Sequence, residues 1–302
     1  MDTDQKQLRY SKRALIFFFV SVIILSIIVE AVYAFTRSDL LVMILMWVPG
    51  IMGLIAAFLS IRDSVREHAR DNAQDSVQDR VRDDGERVSV RGVLSLIGIR
   101  KSKVAYICLG VILPLIYLFI PYRIYWTMHP EHFSGMGTSF VALIIYAVIY
   151  VLVSMLTALG EELGWRGFLL PAQLERMSFA KAVVIVNLFW CVWHFGLLIF
   201  GGYMEGTPLW YKLIAFTLCV FPVGVIAAVL SVWSKSVWPA AFLHAAHNAY
   251  DQALFGPVTQ GADKMYFVSE TGVFTIVCAW IIAIVMVVVY VKRRKKANDI
   301  AC

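Results

Sequence analysis

The chain has 302 residues, of which 60% are hydrophobic and only 16% are charged. An ordinary soluble domain carries about 25% charged residues, so this composition excludes a soluble globular protein and indicates a polytopic membrane protein. The formal net charge of +6 does not point to nucleic acid as a partner. Its basic residues flank apolar stretches instead, as they do on the cytoplasmic side of membrane proteins.

Eight apolar stretches predict membrane-spanning helices. They cover residues 14–35, 39–61, 104–122, 138–160, 180–200, 209–232, 237–250 and 271–291. The seventh is short and contains histidines, so a partial span, or one that continues past Tyr250, is also open. The fold class we expect is an all-α bundle of about eight transmembrane helices.

The distribution of Lys and Arg predicts that both termini are cytoplasmic. Basic residues precede the first stretch, crowd residues 62–103 and follow the last stretch. The opposite turns hold only a few, namely Arg37, Arg123, Lys212 and Lys264. A cleavable signal peptide ending near Val32-Tyr33-Ala34 is the alternative for the N-terminus, and a retained first helix is favoured because the apolar stretch is long. We expect a multi-pass protein in the plasma membrane of a bacterium.

The chain divides into three parts by composition. Residues 1–135 hold the first helices and a charged cytoplasmic connection at 62–103, residues 136–255 hold a helical core rich in intramembrane polar groups, and residues 256–302 hold the last helix and a basic tail. Apolar residues recur every four positions after Ile61, which predicts an amphipathic helix that continues the second span towards Gly85. This helix either spaces two spans or docks a partner or anionic lipid.

Two adjacent carboxylates, Glu161 and Glu162, lie in an otherwise apolar stretch with Arg166. An ionised carboxylate inside a bilayer costs at least about 2.5–3.5 kcal/mol, so such groups usually mark a functional site with a partner nearby. Glu162 and Arg166 are four residues apart and can pair on one helix face, while Glu161 points elsewhere and stays free to accept a proton. A salt bridge that holds two helices together is the alternative. Three glycines of this stretch predict close helix packing: Gly160, Gly164 and Gly167.

Other intramembrane polar side chains are candidates for the same site. His194 follows an aromatic run, and His244 and Asn248 share a helix face because they are four residues apart. An imidazole and an amide presented together can hold a water, a metal or a developing oxyanion. His247 lies off that face and is expected to support the site or to serve packing. A carboxylate and imidazoles around a water suit hydrolysis, with or without a metal.

Three motifs carry a resemblance to a known family. Glu161-Glu162-x-x-x-Arg166, an aromatic residue with a histidine four positions later at His194, and His244-x-x-x-Asn248 resemble the motifs of the CAAX prenyl protease 2 family in order and spacing. This Rce1-type group of intramembrane proteases is also called CPBP or Abi proteins. The resemblance covers about residues 155–250. One departure is that the family usually has Phe four positions before the histidine, where this chain has Trp190.

The resemblance implies four catalytic residues: Glu161, His194, His244 and Asn248. In such a site the glutamate activates the attacking water with the first histidine assisting, while the second histidine and the asparagine hold the oxyanion. Glu162 and Arg166 would orient the centre. Glu161 and the two histidines can also supply the three ligands of a catalytic zinc with an open fourth position, so the sequence leaves a role for zinc open.

We expect the site to lie in a water-filled cavity open to the cytoplasm. Its aromatic lining is predicted as Trp165, Phe189, Trp190 and Trp193. The substrate implied is a membrane-embedded or lipidated peptide, prenylated as in a CaaX protein or processed at a bacterial cell surface, with membrane lipids as the other partners. The alternatives are a non-proteolytic immunity or scaffold protein that retains the protease fold, and a transporter with a proton-carrying glutamate.

Overall fold

The computed structural model describes residues 10–75 and 89–301. Within these ranges the chain is almost entirely helical, with short connections. The α-helices are α1 Lys12–Thr36, α2 Asp39–Asp75, α3 Val90–Leu96, α4 Val104–Met128, α5 Phe140–Glu162, α6 Leu170–Leu174, α7 Phe179–Trp193, α8 Phe195–Phe200, α9 Leu209–Ser234, α10 Trp238–Asn248, α11 Lys264–Phe267 and α12 Val273–Ala301. Two π-helical segments, Leu163–Leu169 and Ala249–Phe255, continue α5 and α10.

Seven helical segments in the described residues are long and apolar enough to cross a membrane. They are Lys12–Thr36, Asp39–Glu67, Val104–Met128, Phe140–Leu174, Phe179–Phe200, Leu209–Ser234 and Val273–Lys296. Their outward faces carry large exposed aliphatic side chains, as expected for surfaces in contact with lipid. The predicted all-α polytopic membrane fold is therefore confirmed, and the protein is an integral membrane protein.

The predicted seventh span, 237–250, is helical and continues past Tyr250 to Phe255, but it is not among the seven segments that are long and apolar enough to cross a membrane. The chain there forms α10 and its π-helical continuation, and α10 packs among α4, α5 and α9 with most of its residues buried. Its start is fixed at one end of the bundle, where the Val237 amide donates to the Gly98 carbonyl at 2.9 Å. At the other end, Thr259 pairs with Phe133 beyond α4. In the described residues the chain therefore traverses the bundle eight times, and α10 is shielded by the helices that pack against it.

Glycines bring α2 and α5 into backbone contact, as the sequence predicted. A Cβ atom added at Gly164 would lie 2.5 Å from Pro49 Cβ and 2.6 Å from the Pro49 carbonyl. One added at Gly160 would lie 2.8 Å from the Met46 carbonyl. Real Cβ atoms do not approach backbone this closely, so only glycine lets α2 lie against the helix that carries the paired carboxylates.

The charged connection is described in part. α2 runs on as a helix to Asp75, which confirms that a helix continues the second span. The remainder of the predicted amphipathic helix, at 76–88, lies outside the described residues. Val90–Leu96 then forms a short helix with Ser89 as its N-cap, whose Oγ accepts from the Gly92 amide at 3.0 Å.

Candidate active site

Both segments that carry predicted site residues change from α- to π-helix at those residues. Glu162 ends α5 and the π-helical turn Leu163–Leu169 follows, while Asn248 ends α10 and the π-helical turn Ala249–Phe255 follows. π-Helical turns are rare and occur often at functional sites, because they realign side chains that a regular helix would point elsewhere. The two π-helical turns therefore lie directly beside the polar side chains in the centre of this bundle.

Glu162 is held by an arginine and a histidine. Its Oε1 accepts from Arg166 Nη1 at 2.8 Å and lies 3.0 Å from His244 Nδ1, and both members of the ion pair are buried. The predicted pair between Glu162 and Arg166 is therefore confirmed. The guanidinium also lies over the ring of Trp190, 4.2 Å from its centroid, which adds a cation–π contact. A carboxylate accepts, so the Nδ1 atom of His244 donates and its Nε2 atom is left for the cavity.

Glu161 points away from this pair, as its position one residue earlier predicted. Its Oε2 accepts from the indole of Trp190 at 2.7 Å and from that of Trp165 at 3.3 Å. These two donors hold the carboxylate in place without neutralising its charge, because an indole N–H is uncharged and does not give up its proton near neutral pH. The other oxygen, Oε1, remains for a water molecule.

His194 lies at a break in the helix. α7 ends at Trp193 and α8 begins at Phe195, and the His194 Nδ1 atom lies 2.8 Å from the Trp190 carbonyl. A carbonyl only accepts, so Nδ1 carries the hydrogen and Nε2 presents a lone pair when the ring is neutral. Trp193 donates to Ser26 Oγ at 2.7 Å and packs edge-on against the imidazole. His194 thus lies at the end of α7, in the same cavity wall as Trp190 and Trp193.

One cavity collects the four residues predicted as catalytic. Its lining consists of Val42, Met46, Glu161, Trp190, Trp193, His194, Leu197, Tyr203, Phe216, Val220, Val223, His244, His247, Asn248, Gln252 and Glu270. The polar side chains therefore meet across three separate helical segments within apolar walls. Glu161, His194 and His244 are buried, whereas Asn248 is half-buried.

Two of the four aromatic residues predicted for the lining belong to the wall of this cavity, and two do not. Trp190 and Trp193 belong to the cavity wall. Trp165 is fully buried behind Glu161, and Phe189 packs edge-on against it instead of facing the cavity. The reason is helical periodicity, since Phe189 precedes Trp190 by one position and so points about 100° away from it.

The cavity extends towards the end of the bundle opposite the basic tail. Its wall includes Tyr203 and Glu270, which belong to connections at the end of the bundle opposite the basic tail. The described lining residues include none from the connections at the basic end. The lining therefore extends towards the end opposite the basic tail, and the predicted opening on the basic, cytoplasmic side stays a prediction.

A second imidazole–carboxylate pair faces the same cavity. His247 Nε2 lies 3.0 Å from Glu270 Oε1, and His247 Nδ1 lies 2.9 Å from the hydroxyl of Tyr117. Tyr203 donates to the other oxygen of Glu270 at 2.6 Å. The sequence indicated only a supporting role for His247. Nothing in the sequence indicated Glu270, because it lies in a polar connection where a carboxylate is unremarkable by composition.

The donor atoms of the possible zinc ligands Glu161, His194 and His244 do not all lie within 4.8 Å of one another, and zinc binding there stays a prediction. Tetrahedral zinc with bonds of about 2.0–2.2 Å needs donor atoms about 3.3–3.6 Å apart. In the part of the chain that the structure describes, three such donors lie within 4.8 Å of one another only at His129, Glu131 and His132, outside the cavity. His194 and His244 each donate one ring N–H to a protein acceptor, which leaves the other nitrogen free, as in most metal-binding histidines. Glu161, His194 and His244 would have to move together to bind zinc.

The fold and the site together define a class of protein. A helical membrane bundle that places a carboxylate, two imidazoles and an amide around an internal cavity has the composition of an intramembrane hydrolase. The comparisons with known proteins agree with this class. The family model of the type II CAAX prenyl endopeptidases, Rce1-like, matches residues 142–250, which span α5 to α10.

A curated relative extends the match. The CAAX prenyl protease 2 of Methanococcus maripaludis is 32% identical over 195 residues, which cover 63% of this chain and 67% of that protein. The chain therefore belongs to the Rce1-like CAAX prenyl protease family, and the resemblance seen in the three motifs is confirmed. Membership of this family makes the protein a membrane-embedded protease.

Proposed function

We propose that the protein is an intramembrane endopeptidase that hydrolyses a peptide bond of a membrane-associated, prenylated CaaX-type substrate with a water activated by Glu161. One observation carries the proposal: Glu161, His194, His244 and Asn248 line a single cavity inside the bundle. Family membership supports the reaction class. The hydrogen bonds of Glu161, His194 and His244 support the roles assigned to these residues.

Glu161 is the general base in this proposal. The carboxylate takes a proton from water as the water oxygen adds to the scissile carbonyl carbon, and it returns that proton to the nitrogen as the C–N bond breaks. Trp190 and Trp165 hold Oε2, so Oε1 is the oxygen that receives the proton. His194 assists by accepting a hydrogen bond from the same water at Nε2, which positions the water for attack.

Asn248 and His244 stabilise the oxyanion. The side-chain amide of Asn248 donates in any protonation state, and a preorganised donor of this kind contributes about 2.7–4 kcal/mol to the transition state. His244 Nδ1 already donates to Glu162. Its Nε2 donates to an oxyanion only when the ring is doubly protonated, so Asn248 is the donor that does not depend on pH.

The surroundings of the cavity bear on how a lipidated substrate is bound. The cavity places polar side chains within apolar walls, which suits a peptide bond and its water. An isoprenoid chain, by contrast, is already solvated by the acyl chains of the bilayer. We infer that the peptide segment enters the cavity while the isoprenoid stays in the surrounding lipid, against the exposed aliphatic faces of the helices.

Cleavage of defined peptides tests the substrate assignment. Protein reconstituted in vesicles would be given a farnesylated CaaX peptide and the same peptide without the isoprenoid, and the products identified by mass spectrometry. We expect release of the last three residues from the farnesylated peptide, at least tenfold faster than from the other. The proposed substrate class is rejected if the farnesylated peptide stays intact while the Methanococcus maripaludis relative cleaves it.

Trp190→Phe should reduce turnover about tenfold. The substitution keeps an aromatic face for Arg166 but removes the N–H that bonds Glu161 at 2.7 Å. A hydrogen bond to a charged group is worth about 1.5–3 kcal/mol, and the lower figure corresponds to about tenfold in rate. The family usually has Phe at this position, so the fold should tolerate it. The measurement is kcat on the farnesylated peptide.

Trp165→Phe is the matched comparison, because its bond to Glu161 is longer at 3.3 Å. We expect a smaller loss of kcat than in Trp190→Phe. Equal turnover in Trp190→Phe and the wild type would show that this indole does not position the base.

A further inference from the structure

Three donor atoms converge outside the cavity, in the connection between α4 and α5. His129 precedes a 3-10 turn, Pro130–His132, that also holds Glu131. The Oε1 atom of Glu131 lies 3.6 Å from His129 Nδ1 and 3.8 Å from His132 Nε2. The two imidazole rings are stacked, with centroids 5.1 Å apart. Zinc coordination needs donors about 3.3–3.6 Å apart, which the two distances to Glu131 meet to within a few tenths of an ångström, and all three donor atoms lie within 4.8 Å of one another.

The second ring nitrogen of His132 is fixed by a relay to a carboxylate. Tyr125, which is fully buried, lies 2.8 Å from His132 Nδ1 and donates to Asp263 Oδ1, also at 2.8 Å. This hydrogen bond from Tyr125 lowers the pKa of Asp263, so the carboxylate is ionised and accepts. The carbonyl of Gln260, at 3.5 Å, is too distant to compete for the phenol hydrogen.

The relay determines which nitrogen of His132 is free. Because the single hydrogen of the Tyr125 hydroxyl goes to Asp263, the His132 Nδ1 atom must carry its own hydrogen and donate to the phenol oxygen. The lone pair of the neutral ring then lies on Nε2, the atom that points to Glu131. Metal-binding histidines are usually held in this way, with the other N–H donated to an anchoring group.

Backbone contacts hold the turn rigidly from the opposite side. The Gln260 amide donates to the His132 carbonyl at 2.7 Å, and the Ser134 amide donates to the Val258 carbonyl at 3.0 Å. Phe133 also pairs with Thr259. The ligand-bearing turn is therefore ordered by the folded chain, and a metal ion would not have to supply all of that order.

We propose that His129, Glu131 and His132 bind a transition-metal dication such as Zn²⁺, with water completing the coordination. Two imidazoles and one carboxylate are the ligand types that zinc and similar metals take, whereas Ca²⁺ and Mg²⁺ prefer oxygen ligands alone. Glu131 is largely exposed, with a side-chain accessibility of 65%, so an ion can reach it from solvent. The site lies in a connection at the end of the bundle opposite the basic tail and is separate from the catalytic cavity.

Zinc binding by the full-length protein tests the proposal. The protein would be purified in detergent with a tag that contains no histidine, stripped with chelator and dialysed against buffered free Zn²⁺, and the bound metal counted by mass spectrometry. We expect the wild type to bind about one zinc at micromolar free metal. His129→Ala and His132→Ala should weaken binding at least tenfold, and Tyr125→Phe, which breaks the relay, about tenfold.

Two further variants keep the result interpretable. Glu131→Gln changes an exposed side chain, so it should fold normally, and it should still lose the increase in melting temperature that zinc gives the wild type. Glu161→Gln should bind zinc like the wild type, because its change lies in the catalytic cavity. Zinc binding unchanged by all three ligand substitutions, or lost only in Glu161→Gln, would overturn the proposed site.

Discussion

Glu161→Gln should lower turnover by about 10²–10⁴-fold, the range that a positioned general base contributes. Glutamine has nearly the same shape but cannot take a proton from water. Its carbonyl can still accept from Trp190 and Trp165, which bond the wild-type carboxylate at 2.7 and 3.3 Å. We therefore expect the protein to be produced and to unfold thermally much as the wild type does. The measurements are kcat on the farnesylated peptide and the melting temperature in detergent.

Glu67→Gln is the matched control, since it makes the same change at an exposed position of α2 outside the cavity. It should leave both kcat and the melting temperature unchanged. Turnover within about fivefold of the wild type in Glu161→Gln would exclude the carboxylate as the base, because the catalytic contribution at stake is at least about 10²-fold.

Arg166→Ala should lose stability and activity together. The guanidinium is the buried partner of Glu162, at 2.8 Å, and also covers the Trp190 ring. Breaking a buried pair by removing one partner costs about 3–5 kcal/mol, because the remaining charge is left uncompensated. The loss of order would extend to His244, whose Nδ1 donates to the same carboxylate oxygen. The measurements are the yield of folded protein, its melting temperature and kcat.

A double variant separates the two effects. Glu162→Gln combined with Arg166→Met removes both charges, so its melting temperature should exceed that of Arg166→Ala, while its activity should stay low because the anchor of His244 is altered. Arg123→Ala, at an exposed position of α4, is the control and should behave like the wild type. A normal melting temperature and normal turnover in Arg166→Ala would refute a structural role for the ion pair.

The sequence predicted the fold because the length of an apolar stretch and the geometry of a helix depend only on neighbouring residues. Long apolar stretches must form helices to satisfy their backbone in lipid. Spacing by four residues predicted the pair of Glu162 with Arg166, which the structure has at 2.8 Å. Both results depend only on residues close together in the chain. The segment of the central helix α10 was predicted as a short span, and its contacts with other helices could not be predicted because apolar content alone does not distinguish contact with lipid from contact with other helices.

Other features depend on contacts between distant segments, which spacing does not determine. The Trp190 indole bonds Glu161 from another helix, and Glu270 reaches the cavity from a connection after α11. His194 lies at the break between α7 and α8, which its spacing from other polar residues does not predict. From the rise per residue alone, His194 lies deeper in the membrane than Glu161 and His244. The sequence could therefore suggest that the three segments meet, but not where in the bundle they do so.

The source of the oxygen in the new carboxylate tests the central claim most directly. The farnesylated peptide would be cleaved in H₂¹⁸O with enzyme in excess, so that each enzyme turns over once, and both the product and the intact protein would be weighed by mass spectrometry. Attack by a water that Glu161 activates predicts one ¹⁸O in the product carboxylate and no covalent adduct on the protein. An unlabelled first product, with ¹⁸O entering the protein instead, or a trapped peptidyl adduct, would show that a protein side chain attacks the substrate and would contradict the account.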